Sequence, residues 1–260
     1  MIKVFFSQAW LCAKVKQAGV SPTEFLAYRV GVSITTLSLY VLIARFTTGS
    51  VDLTSWVIGN AFALCVFECV FNIGGTFNEE RFNGRLRSII VSPTNKMAVI
   101  MYNGVSSIVV AAITIAAAFI VGGLIFGISF SGLNPGMFLA VIFTATFACV
   151  GMGLMFAALA LITDSIHLLL NAVALLIMIF SGANFPVSQL PVFAQWIARA
   201  FPLFRSVRAA NMSIDGAFSK EFGQLLAGEL LLGLAFYLLA FALIKFIERA
   251  AIRNATLEMF

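Results

Sequence analysis

The chain has 260 residues, of which 61% are apolar and 10% charged, where a soluble domain averages about half and about a quarter. Mean hydropathy is +1.03 and 27 residues are Phe, so an ordinary soluble domain is excluded. The net charge of +5 fits contact with anionic lipid and asks for no nucleic acid.

A hydrocarbon core of about 30 Å takes about 20 apolar residues of helix, and several such runs are present. Strand-type alternation does not recur over segments of about ten residues, which argues against a β-barrel. The expected fold is an all-α membrane protein with six transmembrane helices in a single domain over 1–260.

Residues 1–18 read as an amphipathic helix lying on the membrane interface. Lys3, Ser7, Lys14 and Gln17 share a narrow face, Ile2, Phe5, Phe6, Ala9 and Ala13 lie away from it, and Trp10 flanks it. A cleaved signal peptide is the competing reading, but no concentrated apolar core with a small-residue cleavage site follows the lysines. Ser21-Pro22-Thr23-Glu24 is a capping box with Pro at the first helical position. It opens a first span over 25–46, and a second follows over 53–77. Ser92-Pro93 opens the third span over 97–127, and Asn134-Pro135 the fourth over 137–163. Asp164 and Ser165 offer caps for the fifth, 166–181. At about 16 residues the fifth either stops before the far interface or joins an irregular segment. The sixth covers 222–246.

Between spans two and three lies a charged island, residues 78–96. Glu79, Glu80, Arg81, Arg85 and Arg87 fall within nine residues. Such a cluster has to sit in water, where a soluble partner can grip the protein. Between spans five and six, Ser181 to Pro186 breaks the helix. Two short helices bounded by prolines follow, Pro191 to Phe201 and Phe204 to Met212, the second carrying Arg205 and Arg208. Segment 182–220 reads as a re-entrant pair of outer helices, tolerated at membrane depth when packed in protein or facing water.

With the N-terminus inside, eleven basic residues fall on the cytoplasmic side and five outside, counting all sixteen Lys and Arg. Both termini and the 78–96 loop are then cytoplasmic, and the membrane is a cytoplasmic (inner) membrane of bacterial type.

These residues resemble the membrane subunit of a type-2 ABC exporter, the ABC-2 permease family. One motif is Glu80-Arg81-Phe82-Asn83-Gly84-Arg85-Leu86 followed by Ile89-Ile90-Val91-Ser92-Pro93; the other runs from Ser181-Gly182-Ala183-Asn184-Phe185-Pro186 through Leu190-Pro191 to Phe201-Pro202-Leu203. Arg85 departs from the family, which often has a small polar residue there. The resemblance covers nearly the whole chain. It implies two membrane subunits, identical or related, paired with two soluble ABC ATPase subunits. It places a coupling helix in the loop after span two, with Glu79, Glu80, Arg81, Gly84, Arg85 and Leu86 at the ATPase contact. It sends the substrate between the two membrane subunits along spans two and five, under an outer lid that includes Asn184, Pro186, Pro191 and Arg205.

The chemistry of the chain agrees with a separate engine. No Gly-x-x-x-x-Gly-Lys-Ser/Thr occurs, so ATP and Mg are expected in the partner and no cofactor in this chain. His167, the single histidine, reads as structural, and no paired carboxylates or Ser/His arrangement supports an enzyme. Cys65, Cys69, Cys12 and Cys149 read as small apolar residues rather than metal ligands. Glu68 inside span two is costly at that depth; it reads as a pathway or dimer-interface residue, with snorkelling as the alternative. Glu229 in span six is weighed the same way. Phe62, Phe67 and Phe71 follow helical spacing and are either packing residues or an apolar gate. Gly123 and Gly127 offer a close helix approach.

The expected function is export of a hydrophobic or amphipathic compound or peptide. Export of a polysaccharide or lipid-linked glycan by the same architecture is the alternative. A secondary transporter would need paired broken helices or an intramembrane proton relay.

Overall fold

The computed structural model describes residues 7–8, 10–11, 14, 21–49, 53–84, 96–128, 132–163, 165–214 and 218–254. These residues are helical with short connections, and no strand occurs among them. In chain order the elements are α1 (Pro22–Thr48), α2 (Thr54–Cys65), a π-helical turn (Val66–Phe71), α3 (Asn72–Gly74), α4 (Thr76–Phe82), α5 (Lys96–Phe126), α6 (Pro135–Leu159), α7 (Ile166–Phe180), a 3-10 turn (Val187–Gln189), α8 (Val192–Ala198), α9 (Phe204–Met212) and α10 (Lys220–Asn254).

Among the described residues, five helices are long and apolar enough to cross a membrane: Val30–Thr47, Thr54–Gly74, Ile100–Phe126, Pro135–Leu159 and Lys220–Ile247. The expected fifth span, α7, has 15 residues, or about 22 Å at 1.5 Å per residue, short of a hydrocarbon core. The expected interface helix falls mostly outside the described residues. Of it, Ser7, Gln8, Trp10, Leu11 and Lys14 are helical and exposed.

The starts of α1 and α6 follow their sequence signals. Ser21 Oγ accepts the Glu24 N–H and the Glu24 carboxylate accepts the Ser21 N–H at 3.0 Å, completing the capping box. Asn134 Oδ1 accepts from the Gly136 and Met137 N–H groups at the start of α6. Ser165, expected to cap α7, makes no side-chain cap bond, while Asp164 and the Ser92-Pro93 pair lie outside the described residues.

Helix α2 with its π-helical turn is the enclosed centre, with 83% of its span buried, and α6 follows with 67%; α1, α5 and α10 have 22%, 33% and 28%. The outer three turn Leu39, Phe46, Ile120, Leu124, Leu231 and Phe246 outward, a surface suited to lipid. Glycines allow the closest approaches. A Cβ on Gly151 of α6 would lie 2.8 Å from the Gly233 carbonyl of α10, and one on Gly153 would lie 2.8 Å from the Cys69 carbonyl. On α5 a close approach occurs at Gly122, where a Cβ would meet Val57 Cγ1 at 2.5 Å. Gly127 has open space around it and φ +65°, and follows the last residue of α5 as a left-handed cap.

Two ends of the bundle result. At one, α4 meets the end of α6 and the start of α7. At the other, the 181–214 segment closes over the starts of α2 and α6, with the Asn134 N–H bonded to the Ser213 carbonyl at 3.1 Å.

Candidate functional site

The chain leaves α2 without losing helical continuity, because the Gly75 N–H still reaches the Phe71 carbonyl and the Glu79 N–H the Gly75 carbonyl, both at 2.9 Å. Helix α4 therefore begins at Thr76, earlier than the charge pattern implies. Glu79 sits in its first turn, and Glu80 follows it. Thr76, Phe77 and Asn78 are buried, so solvent is first met at Glu79.

Arg81 turns back from α4 to the end of α6. Its guanidinium donates to the carbonyls of Ala160, Leu161 and Thr163, each at 3.3 Å. A cation on the last carbonyls of a helix meets the negative end of its dipole. Gly84 has φ +68° and open space around it, while Phe82 beside it is 84% exposed. Arg85 and Leu86 lie outside the described residues.

The residues expected along a path in span two do not share one face. Phe62 is fully buried, edge-on to Phe138 at 5.8 Å. Phe67 is 41% exposed and stacks on Phe71 at 5.5 Å. Glu68 is buried and accepts a 3.1 Å hydrogen bond from Asn72 Nδ2, so it does not snorkel. The π-helical turn contains Phe67, Glu68 and Phe71; such turns re-aim side chains and recur at functional sites. Asn72 was invisible as a partner in the sequence, although a four-residue spacing from Glu68 is the signal that finds it.

The opposite end is built on Ser181–Pro186. Ala183 is buried, and a Cβ on Gly59 of α2 would lie 2.6 Å from the Ala183 Cα, so this strand of chain runs directly over the helix backbone. Pro186 and Pro191 are exposed and precede the 3-10 turn and α8. Phe193 and Trp196 point outward, and Arg199 lies over the Trp196 ring at 4.6 Å.

Leu203, before α9, is buried with φ 73°. Its N–H donates to Glu229 Oε1 at 2.7 Å. Glu229 is wholly buried in α10, so snorkelling is overturned here as well. Arg205 faces the same carboxyl, its Nε in a space that a Cβ on Gly228 would invade at 2.8 Å. Arg208 turns the other way and pairs with Glu221.

A cleft of about 590 Å3 opens between the start of α2, the 181–188 turn, α8 and α9, with Asn184 and Pro186 in its wall. Among the described residues no group of three His, Cys, Asp or Glu side chains could hold a metal ion. Cys65, Cys69 and Cys149 are buried in the core, and His167 is exposed at the start of α7.

No individual curated protein matches the chain. Residues 7–214 match the family described as ABC-2 type transporter, and the chain belongs to that family: it is a multi-pass membrane permease subunit of an ABC transporter, a transport subunit and not itself a catalyst.

Proposed function

We propose that this chain exports a hydrophobic or amphipathic compound or peptide, as one of two membrane subunits driven by two ABC ATPase subunits that bind the ATP and Mg. The observation that carries the substrate class is the stacked Phe67–Phe71 pair. It is the aromatic flank of an otherwise enclosed helix, while the nearest carboxyl, Glu68, is turned inward and bonded. Apolar contact area would then supply most of the affinity, at about 25 cal/mol per Å2 buried.

The topology proposed with this reading is a single domain over 1–260 with six spans, an interface helix at 1–18, and both termini in the cytoplasm. The fifth span is α7, joined at its end to the irregular 181–186 turn, and 182–220 forms the re-entrant outer segment. The close pass of Ala183 over Gly59, inside the length of α2, supports that depth. The 78–96 loop is the ATPase contact. Phe82, exposed beside Glu79 and Glu80, gives the charged loop an apolar anchor of the kind that dominates interfaces.

Reconstituting the chain with its ATPase in proteoliposomes tests the function. Hydrophobic compounds or peptides are expected to stimulate ATP hydrolysis and to accumulate on the side opposite the ATPase. A response to a lipid-linked glycan, with none to a broad hydrophobic panel, would assign glycan export instead. Uptake towards the ATPase side would overturn the exporter.

A further inference from the structure

We propose that the 590 Å3 cleft at the 181–214 end is a binding site for an amphipathic anion, a carboxylate or phosphate head on an apolar tail. Its volume lies within the range of small-molecule sites, about 300–1,000 Å3. Its wall divides by chemistry. Trp56, Phe185, Phe204 and Val207 supply apolar surface; Arg199 and Arg208 supply charge. No acidic side chain lines it among the described residues.

The two arginines are differently held. Arg199 is stacked on Trp196, a contact that fixes the guanidinium plane and leaves its charge uncancelled. Arg208 bonds Glu221 with both side chains about half exposed, and such pairs exchange partners at little cost. On the proposed topology this end faces outward, where the positive-inside rule disfavours basic residues. Arg199, Arg205 and Arg208 nonetheless fall within ten residues of chain. Arg205 is accounted for by Glu229; the other two converge on the cleft.

A role for this cleft in releasing cargo rests on the exporter reading, whereas the binding does not. Trp56 provides the test. The chain has three tryptophans, so Trp10→Phe with Trp196→Phe leaves Trp56 alone and keeps a ring under Arg199. The full chain carrying both changes, in phosphatidylcholine nanodiscs, is titrated with 10-bromodecanoate and with 10-bromodecanol, which share a quenching tail. Saturable quenching is expected for the acid at a concentration about fivefold lower than for the alcohol, the scale of a charge-assisted bond. Arg199→Gln should abolish that preference and Arg199→Lys should keep most of it. Quenching that is equal for acid and alcohol, or a preference unchanged in both Arg199→Gln and Arg208→Gln, overturns the proposal. Repeating the titration with phosphatidylglycerol in the disc separates the sources. Competition identifies a bilayer lipid as the anion; its absence identifies a free amphiphile. Failure of export with intact quenching would reject the exporter and leave the site standing.

Discussion

Glu229 on the last long helix holds the backbone N–H of Leu203, 26 residues earlier in the chain, at 2.7 Å. Leu203 is the one described non-glycine residue with positive φ, a conformation that costs about 1–2 kcal/mol for an L-residue. The turn is kept because its N–H points into a buried carboxyl and because the Leu203 side chain is itself fully buried.

Removing that carboxyl should be expensive. Glu229→Leu leaves a buried N–H unsatisfied, which costs about 1–3 kcal/mol, and strips Arg205 of its facing charge. Arg205→Met on the same background should recover part of the loss. Thermal unfolding of the four members of this double-mutant cycle measures the coupling, and additive effects would dissociate the two residues.

Arg81→Ala should loosen the junction of α4 and α6. Three carbonyls lose a cationic donor, for an expected loss of about 1–2 kcal/mol. Arg81→Lys, lacking the planar fork, should recover less than half. Hydrogen exchange at the end of α6 reads the local effect, and the ratio of ATP hydrolysed to substrate moved reads the coupling.

Gly84 tests the loop without touching the bundle. Open space surrounds it, so any defect in Gly84→Val comes from the left-handed backbone rather than from a clash. Gly84→Asn should be tolerated. We expect Gly84→Val and Glu80→Ala to fold normally, and complexes of either with the ATPase to hydrolyse ATP with diminished transport. Full transport by both would leave the loop as a connector only.

The α6–α10 contact should refuse a single methyl group. Gly233→Ala would place Cβ 2.7 Å from Phe147 Cδ1 and 3.1 Å from the Ala148 Cα. The expected destabilisation is about 1–3 kcal/mol, read as a lowered Tm. Gly223→Ala on the same helix, with nothing within 4 Å, is the matched control and should leave Tm within error.

The start of α1 should respond to acid. Bonds from the Ser21 backbone and side chain hold the Glu24 carboxyl below its ordinary value of 4.5. A depressed carboxylate stabilises the fold above its unfolded value, and that stabilisation is lost as pH falls through the lower folded value. Protection of the Ser21 and Glu24 amides, corrected for intrinsic exchange, should therefore drop below about pH 4.5. Glu24→Gln should flatten the profile.

The caps at Ser21 and Asn134 and the five long apolar helices were legible because each is written locally. Ser21 and Asn134 announce their helices within three residues, and span positions follow from apolar runs. Phe204–Met212 was readable to the residue, since Pro202 ends what precedes it. Long-range partners were not written anywhere local. Glu229 reads in the sequence as a pathway or interface residue or a snorkelling one, because Leu203 and Arg205 reach it only after the chain folds back. Arg81 looked like part of a charged loop because the carbonyls it caps lie 79 to 82 residues away. Phe62 and Phe67 read as one helical repeat, but five residues at about 100° each put them about 140° apart on a regular helix, and the π-helical turn starts only at Val66.

That turn acts as a phase shifter for everything after it. Each residue advances an α-helix by about 100°, so widening one turn re-clocks the downstream segment about the span axis. The azimuth at which Glu79, Arg81 and Phe82 emerge is thus set inside the bilayer, in Val66–Phe71, before the chain reaches water. Squeezing the wide turn to an ordinary one would swing the whole projecting segment sideways by about a quarter revolution, and would do so without altering one residue at the surface.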